Sequence, residues 1–151
     1  MAKKSEDTNY NTNLASEYLM MSLLCGAGKD AYLSLGNKKG VDIIVKTEKG
    51  AIYVVEVKGV NKNNDWMIGN SGKLPSLPNM FYALVGFEGN ISDVTAAAKF
   101  YLIPSWILSR EGEYKMSKNE KTIYLSHKYL RENYKDYRDT FKWLDEYLQN
   151  N

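Results

Sequence analysis

The chain has 151 residues, a length that suits one domain with a buried core. Apolar residues make up 44% and charged residues 25%, a composition that excludes an extensively disordered protein. The net charge of +2 is too small to indicate nucleic-acid binding by itself. The single cysteine, Cys25, excludes an internal disulfide and a zinc site built on several cysteines.

The length and the absence of an internal repeat or domain boundary predict a single domain over 1–151. Its polar ends, about 1–12 and 149–151, are expected to be frayed. No apolar run is long enough to cross a membrane, and the charged N-terminus lacks the apolar segment of a signal peptide. We therefore expect a cytoplasmic protein with no membrane partner. A homodimer is compatible with so small a body, although no sequence feature indicates one.

The elements predicted in chain order begin with a helix over 14–25, whose apolar side chains surround most of its circumference and predict a largely buried element. Strands follow at 31–35, 41–47, 51–57, 80–87, 99–104 and 122–125. A helical turn at 106–108 and an amphipathic helix over 127–148, broken near 135–136, complete the chain. This order predicts an α/β domain with a mixed central sheet of four or more strands flanked by helices.

Two of these strands form a hairpin whose three-residue loop ends in Gly50, the position that favours a left-handed residue. In that register Thr47 pairs with Ala51. Asp42 then lies directly opposite Glu56, with their Cβ atoms roughly 5 Å apart. The hairpin therefore predicts two facing carboxylates at its open end.

The charges on this hairpin are unusual because they lie among β-branched residues on strands that we expect to be covered on both faces. Facing carboxylates repel each other unless a divalent cation lies between them, and Mg²⁺ is commonly held by one or two carboxylates with water and substrate phosphate. Lys58 shares the face of Glu56, where it can orient a water molecule or stabilise negative charge on a phosphate. The alternative is a solvated sheet face that carries ordinary exposed charges.

Glu17 is a further candidate, because it falls between Met21 and Leu24 inside an apolar arc of the first predicted helix. Glutamate is rarely buried without a partner. Glu17 therefore either reaches toward the same cation or is a surface acid on a helix with different boundaries.

Glu17 in a first helix, then Asp42, then the Glu-Val-Lys run at 56–58 resemble the PD-(D/E)XK nuclease superfamily, which includes restriction endonucleases and Holliday-junction resolvases. The motif resemblance covers roughly 14–59, and the strands at 80–87 and 99–104 are similar to further core strands of its small members. Val41 stands where the name-giving proline would be.

The resemblance implies a restriction endonuclease-like core and hydrolysis of phosphodiester bonds with Mg²⁺, for which Mn²⁺ can substitute. It implies that Asp42 and Glu56 are metal ligands, that Lys58 positions the water and that Glu17 is an accessory ligand. DNA is the expected substrate, and RNA stays open because the motif does not read the sugar. A non-catalytic module of the same fold that binds nucleic acid or protein is the alternative.

Candidate nucleic-acid-binding residues lie around the motif: Lys38, Lys39, Lys62, Trp66 and Lys73. Lysines can contact phosphate, and a tryptophan among lysines can stack on bases. The alternatives are solvated turn lysines and a tryptophan that anchors its loop to the body. His127, the only histidine, is expected to have a structural or surface role, and Cys25 to pack in the core.

Overall fold

The computed structural model describes residues 2–35, 40–69, 72–93, 95–110 and 115–150. Its elements in chain order are α1 (Ala2–Gly26), β1 (Asp30–Leu33), β2 (Ile43–Lys46), β3 (Ile52–Asn61), β4 (Trp66–Met67), β5 (Met80–Phe87), β6 (Ala98–Pro104), α2 (Ser105–Leu108), β7 (Lys115–Met116), β8 (Ile123–Leu125), α3 (His127–Asn133), a 3₁₀ turn (Lys135–Tyr137) and α4 (Lys142–Asn150). No helix formed by these residues is both long and apolar enough to cross a membrane.

The central sheet has five strands in the order β1-β2-β3-β5-β6. β3 and β5 are parallel, and every other neighbouring pair in this sheet is antiparallel. A second sheet joins the short strands in the order β4-β8-β7. The predicted α/β class with a mixed central sheet of four or more strands is confirmed.

Each face of the central sheet has its own hydrophobic core. On one face α1 and α4 pack against the strands through residues that include Leu24, Val55 and Leu144. On the other face the small sheet and α3 pack through residues that include Tyr82 and Leu130. Because both faces are covered, β5 is buried along all but its last residue, as its apolar sequence predicts.

The first helix departs from its prediction in length and in burial. It begins at Ala2 and not at residue 14, so the polar segment expected to be frayed is helical. Met20 and Leu24 are fully buried, but Tyr10 and Tyr18 are 66% and 58% exposed. Cys25 is exposed and not in the core. Only one side of α1 meets the sheet, because no second layer covers its outer side in the described part of the chain.

The close packing of α1 on β3 depends on one glycine. A Cβ atom at Gly59 would lie 2.0 Å from Ser16 Oγ and 2.9 Å from the carbonyl oxygen of Thr12. Ser16 and Thr12 are buried although they are polar, and Ser16 Oγ donates a hydrogen bond to Thr12 O at 2.7 Å. This contact holds the helix against β3 at Thr12, two residues before the helix start predicted from the pattern.

The final helical region is broken where the sequence predicts. α3 ends at Asn133, a 3₁₀ turn covers Lys135–Tyr137, and α4 begins at Lys142. The hydroxyl of Ser126 accepts a hydrogen bond from Tyr129 N and caps the start of α3.

Candidate active site

The hairpin formed by β2 and β3 has the predicted register. Ile43 pairs with Val55, and Thr47 N donates to Ala51 O at 2.9 Å across the turn. Gly50 has a φ of 85°, the left-handed conformation that this loop requires. β3 continues to Asn61, four residues beyond the predicted end, so the strand contains the whole 56–58 motif.

Asp42 lies just before β2, and hydrogen bonds to β3 fix both its backbone and its side chain. Its N–H donates to Val55 O at 3.0 Å, while its Oδ2 accepts from Val57 N at 2.7 Å. The Asp42 carboxylate therefore accepts the hydrogen bond from Val57 N that a backbone carbonyl would accept if the strand pairing continued. This arrangement turns the Asp42 side chain toward the β3 backbone and holds it near Glu56.

Glu56 and Lys58 are neighbours on β3. Lys58 Nζ lies 2.8 Å from Glu56 Oε1, and the side chains are 35% and 15% exposed for Lys58 and Glu56 respectively. Glu56 Oε2 faces Gly40, where a Cβ atom would lie 3.7 Å away and where φ is 85°. The glycine leaves space beside a carboxylate that is mostly shielded from solvent.

The charges of this cluster perturb one another. Burial raises the pKa of Asp42, the Val57 N–H and Lys58 oppose that rise, and Glu56 adds to it. Burial also raises the pKa of Glu17, with a further rise from Asp42 and an opposing effect from Lys58. Glu17 on α1 therefore lies within electrostatic range of the hairpin residues, and all four candidates form one neighbourhood.

The side chains of Asp42 and Glu56 match the ligands that Mg²⁺ prefers. Asp42 and Glu56 supply hard carboxylate oxygens, and one or two carboxylates are the usual protein share of a Mg²⁺ site. Both carboxylates are partly buried beside another negative charge, which a cation would relieve. Across the described residues, no three His, Cys, Asp or Glu side chains gather into a metal-binding group. The residues thus fit a cation held by two carboxylates, with Glu17 contributing its charge nearby.

A cavity of about 520 Å³ lies beside this cluster, between α1 and the turn that follows β3. Lys58 is the motif residue that lines it, with Asn9 and Asn13 from α1 and with Lys62 and Asn64 from the turn. The amide of Asn13 also accepts from Gly59 N at 3.4 Å. Sequence reasoning missed these asparagines, and their density at 9–13 and 61–64 was the signal that could have indicated a polar cleft.

The predicted nucleic-acid-binding residues have different positions. Lys62 is exposed and lines the cavity, whereas Lys73 is exposed but does not line it. Lys38 and Lys39 lie outside the described residues.

Trp66 does not fit the prediction that it stacks on bases. It is 1% exposed, its Nε1 donates to Val85 O at 3.0 Å, and its ring centre lies 4.4 Å from that of His127. The buried ring anchors the segment after β3 to the central sheet, which is the alternative role given above. The polar residues around Trp66 in the sequence hid this packing.

No family model, curated protein or solved structure matches this chain.

Proposed function

We propose that this protein is a small nuclease with a PD-(D/E)XK-like core that hydrolyses phosphodiester bonds with Mg²⁺ in the cytoplasm. DNA is the favoured substrate, and RNA belongs to the same chemical class. The observation that carries the proposal is the hairpin register, because it brings Asp42 close to Glu56 and Lys58 on β3. The adjoining cavity supports it, since a substrate phosphate could enter beside Lys58.

Asp42 and Glu56 would hold the cation, and the charge of Glu17 would add to the negative potential around it. When bound, Mg²⁺ supplies a Lewis acid that polarises a phosphoryl oxygen and makes a bound water more acidic. Mn²⁺ has similar ligand preferences and is expected to substitute.

The chain itself positions the groups around the reacting phosphate. The hydrogen bond from Val57 N fixes the Asp42 carboxylate, so that little ordering is needed before the substrate binds. The ammonium of Lys58 is partly exposed at the cavity, where it can donate to an attacking water or to a phosphate oxygen. In doing so it would exchange its contact with Glu56 for one with the substrate.

A non-catalytic binding module is the second candidate, and one observation favours it. Glu56 is already paired with Lys58, and Asp42 is already hydrogen-bonded to Val57, so both carboxylates have partners within the fold. In that case the cluster would stabilise the end of the hairpin, and a divalent cation would have no effect.

Cleavage assays with a matched pair of variants separate the two candidates. The substrates are single-stranded, double-stranded and branched DNA and RNA, each with Mg²⁺, with Mn²⁺ and with a chelator. Glu56→Gln keeps the shape of the side chain and removes its charge, and we expect it to lower the cleavage rate about a hundredfold or more. Glu48→Gln makes the same change at an exposed turn position of the same hairpin and should leave the rate unchanged.

Full activity in folded Glu56→Gln would exclude the proposed nuclease site. Absence of cleavage on every substrate, together with absence of cation binding, would favour the binding module.

A further inference from the structure

A second cavity, of about 260 Å³, lies beside the C-terminal ends of β3 and β5. The charged and titratable side chains that line it are Lys62, Glu88, Lys99, His127, Arg131 and Arg138. Lys62 and Trp66 line both this cavity and the larger one beside Lys58, so the two cavities adjoin. No motif in the sequence connects these residues.

The cavity has more positive than negative charge. Glu88 forms an ion pair with Lys99, and Arg138 pairs with Asp139 at 3.3 Å. Within the described part of the chain, Lys62 and Arg131 have no carboxylate partner at ion-pair distance, and both are exposed. Two cations are thus available for an anionic ligand.

His127 adds an unsatisfied polar atom to the same cavity. Its Nε2 is buried and has no hydrogen-bond partner among the described residues. Burial lowers the pKa of His127, and the nearby positive charges of Arg131 and Lys99 lower it further, against a hydrogen bond to the Asn64 backbone that raises it. An anion in the cavity would offset the repulsion between His127 and these cations.

The chemistry of the lining favours phosphate over a nucleobase. Guanidinium and ammonium groups are the usual protein partners of phosphate. Two of the aromatic rings in the wall, Trp66 and Tyr101, cannot act as stacking platforms, because they are 1% and 4% exposed. The ligand class that fits is therefore a phosphate group approached by long cationic side chains.

The adjoining positions of the two cavities suit a nucleic-acid strand. Lys58 lines the first cavity, Arg131 lines the second, and Lys62 lines both, so positive charge continues from one cavity to the other. Successive phosphates of one DNA strand advance about 3.4 Å along the helix axis. A strand with one phosphate beside Lys58 would bring another, a few nucleotides away, to the second cavity.

We propose that the second cavity binds a backbone phosphate of the nucleic-acid substrate, a few nucleotides from the phosphate that is cleaved. The identity of the strand rests on the proposed nuclease function, whereas anion binding by the cavity can be tested without cleavage. Arg131 and Lys62 are the main anchors, and His127 lies in the wall of the same cavity.

Anion binding is tested first, by NMR titration of the metal-free protein with inorganic phosphate. His127 is the only histidine, and the Trp66 indole N–H adjoins it, so both signals report directly on the cavity. We expect saturable shifts of both signals and at least fivefold weaker binding in Arg131→Ala. Lys142→Ala removes an exposed cation on α4 and should bind like the parent protein. Shifts that are absent, or equal in all three proteins, would overturn the proposal.

Strand binding is tested second, with oligonucleotides and the Glu56→Gln variant, so that no cleavage interferes. We expect Arg131→Ala and Lys62→Ala each to weaken binding about tenfold. Each should also reduce the slope of log affinity against log salt concentration by roughly 0.7–0.9, the value for one lost phosphate contact. Lys142→Ala again serves as the charge control.

The outcomes separate the two proposals. Unchanged oligonucleotide affinity and salt slope in both variants would overturn the phosphate anchor even if the parent protein cleaves DNA. Saturable phosphate binding and the expected strand affinities in a protein that cleaves nothing would support the anchor while showing that the nuclease function is wrong.

Discussion

The two polar clusters along β3 are built in opposite ways. Asp42, Glu56 and Lys58 come from one hairpin, and backbone hydrogen bonds or a short ion pair fix their side chains. The cationic cavity takes its residues from separate parts of the chain, and its two available cations, Lys62 and Arg131, are exposed. The first cluster therefore depends on a strand register, whereas the second depends on how the small sheet and α3 dock on the central sheet.

Their electrostatics are also opposite. Burial raises the pKa of Asp42 and of Glu17, so the first cluster disfavours its own negative charge. Burial and nearby cations lower the pKa of His127, so the second cluster disfavours further positive charge. A divalent cation would relieve the first cluster and a phosphate the second. A nucleic-acid strand bound with Mg²⁺ supplies both, which is why the two proposals support one substrate class.

The largest effect is expected from Gly59→Ala, which should disrupt the first cluster and spare the second. The new Cβ would meet the Thr12 carbonyl and the Ser16 side chain and force α1, with Glu17, away from β3. We expect a loss of about 3 kcal/mol in unfolding free energy, at the upper end of overpacking costs. Urea denaturation followed by tryptophan fluorescence measures it.

Gly26→Ala is the control for that substitution. Its Cβ would meet no atom within 4 Å, and its φ is not in the left-handed region. It should change the unfolding free energy by less than about 1 kcal/mol. Equal stability of the two variants would show that α1 does not need its close approach to β3.

An intermediate effect is expected at Asp42, where two substitutions separate charge from hydrogen bonding. Asp42→Ala leaves Val57 N without its acceptor and should cost about 1–3 kcal/mol of stability. Asp42→Asn keeps an acceptor of the same shape and should stay within about 1 kcal/mol of the parent protein. Both variants should lose cleavage, because neither provides a carboxylate. A cleavage rate in Asp42→Asn close to that of the parent protein would contradict a role as metal ligand.

The features that the sequence predicted correctly are those with local causes. Loop length and Gly50 set the hairpin register, and that register placed Asp42 near Glu56. The predicted bounds of β5, 80–87, match the structure. A strand covered on both faces is a continuous apolar run, so its ends are clear in the sequence.

The features that the sequence did not predict depend on contacts between distant parts of the chain. α1 begins at Ala2, in a polar segment without an amphipathic pattern. The helix packs on β3 where Thr12 and Ser16 lie against Gly59. The burial of Trp66 depends on strand β5, whose Val85 carbonyl lies 19 positions further along the chain. Lys62 and Arg131 line the same cavity because α3 packs against the central sheet. No local periodicity in the sequence predicts that packing.

The smallest effect is expected for the protonation of His127, whose pKa tests whether the second cavity is positively charged. Burial holds its pKa below the ordinary value, and Arg131 and Lys99 add to this, while the Asn64 carbonyl and Asp65 oppose it. As the pH falls below about 6.5, the unfolded chain takes up a proton before the folded chain does, so stability decreases until the pH passes the folded pKa. NMR titration of this single histidine should give a pKa below 6.5, closer to 6.5 in Arg131→Ala and lower still in Asp65→Asn. A pKa that does not rise in Arg131→Ala would contradict a cationic cavity, because the guanidinium that is removed is one of the positive charges that lower it.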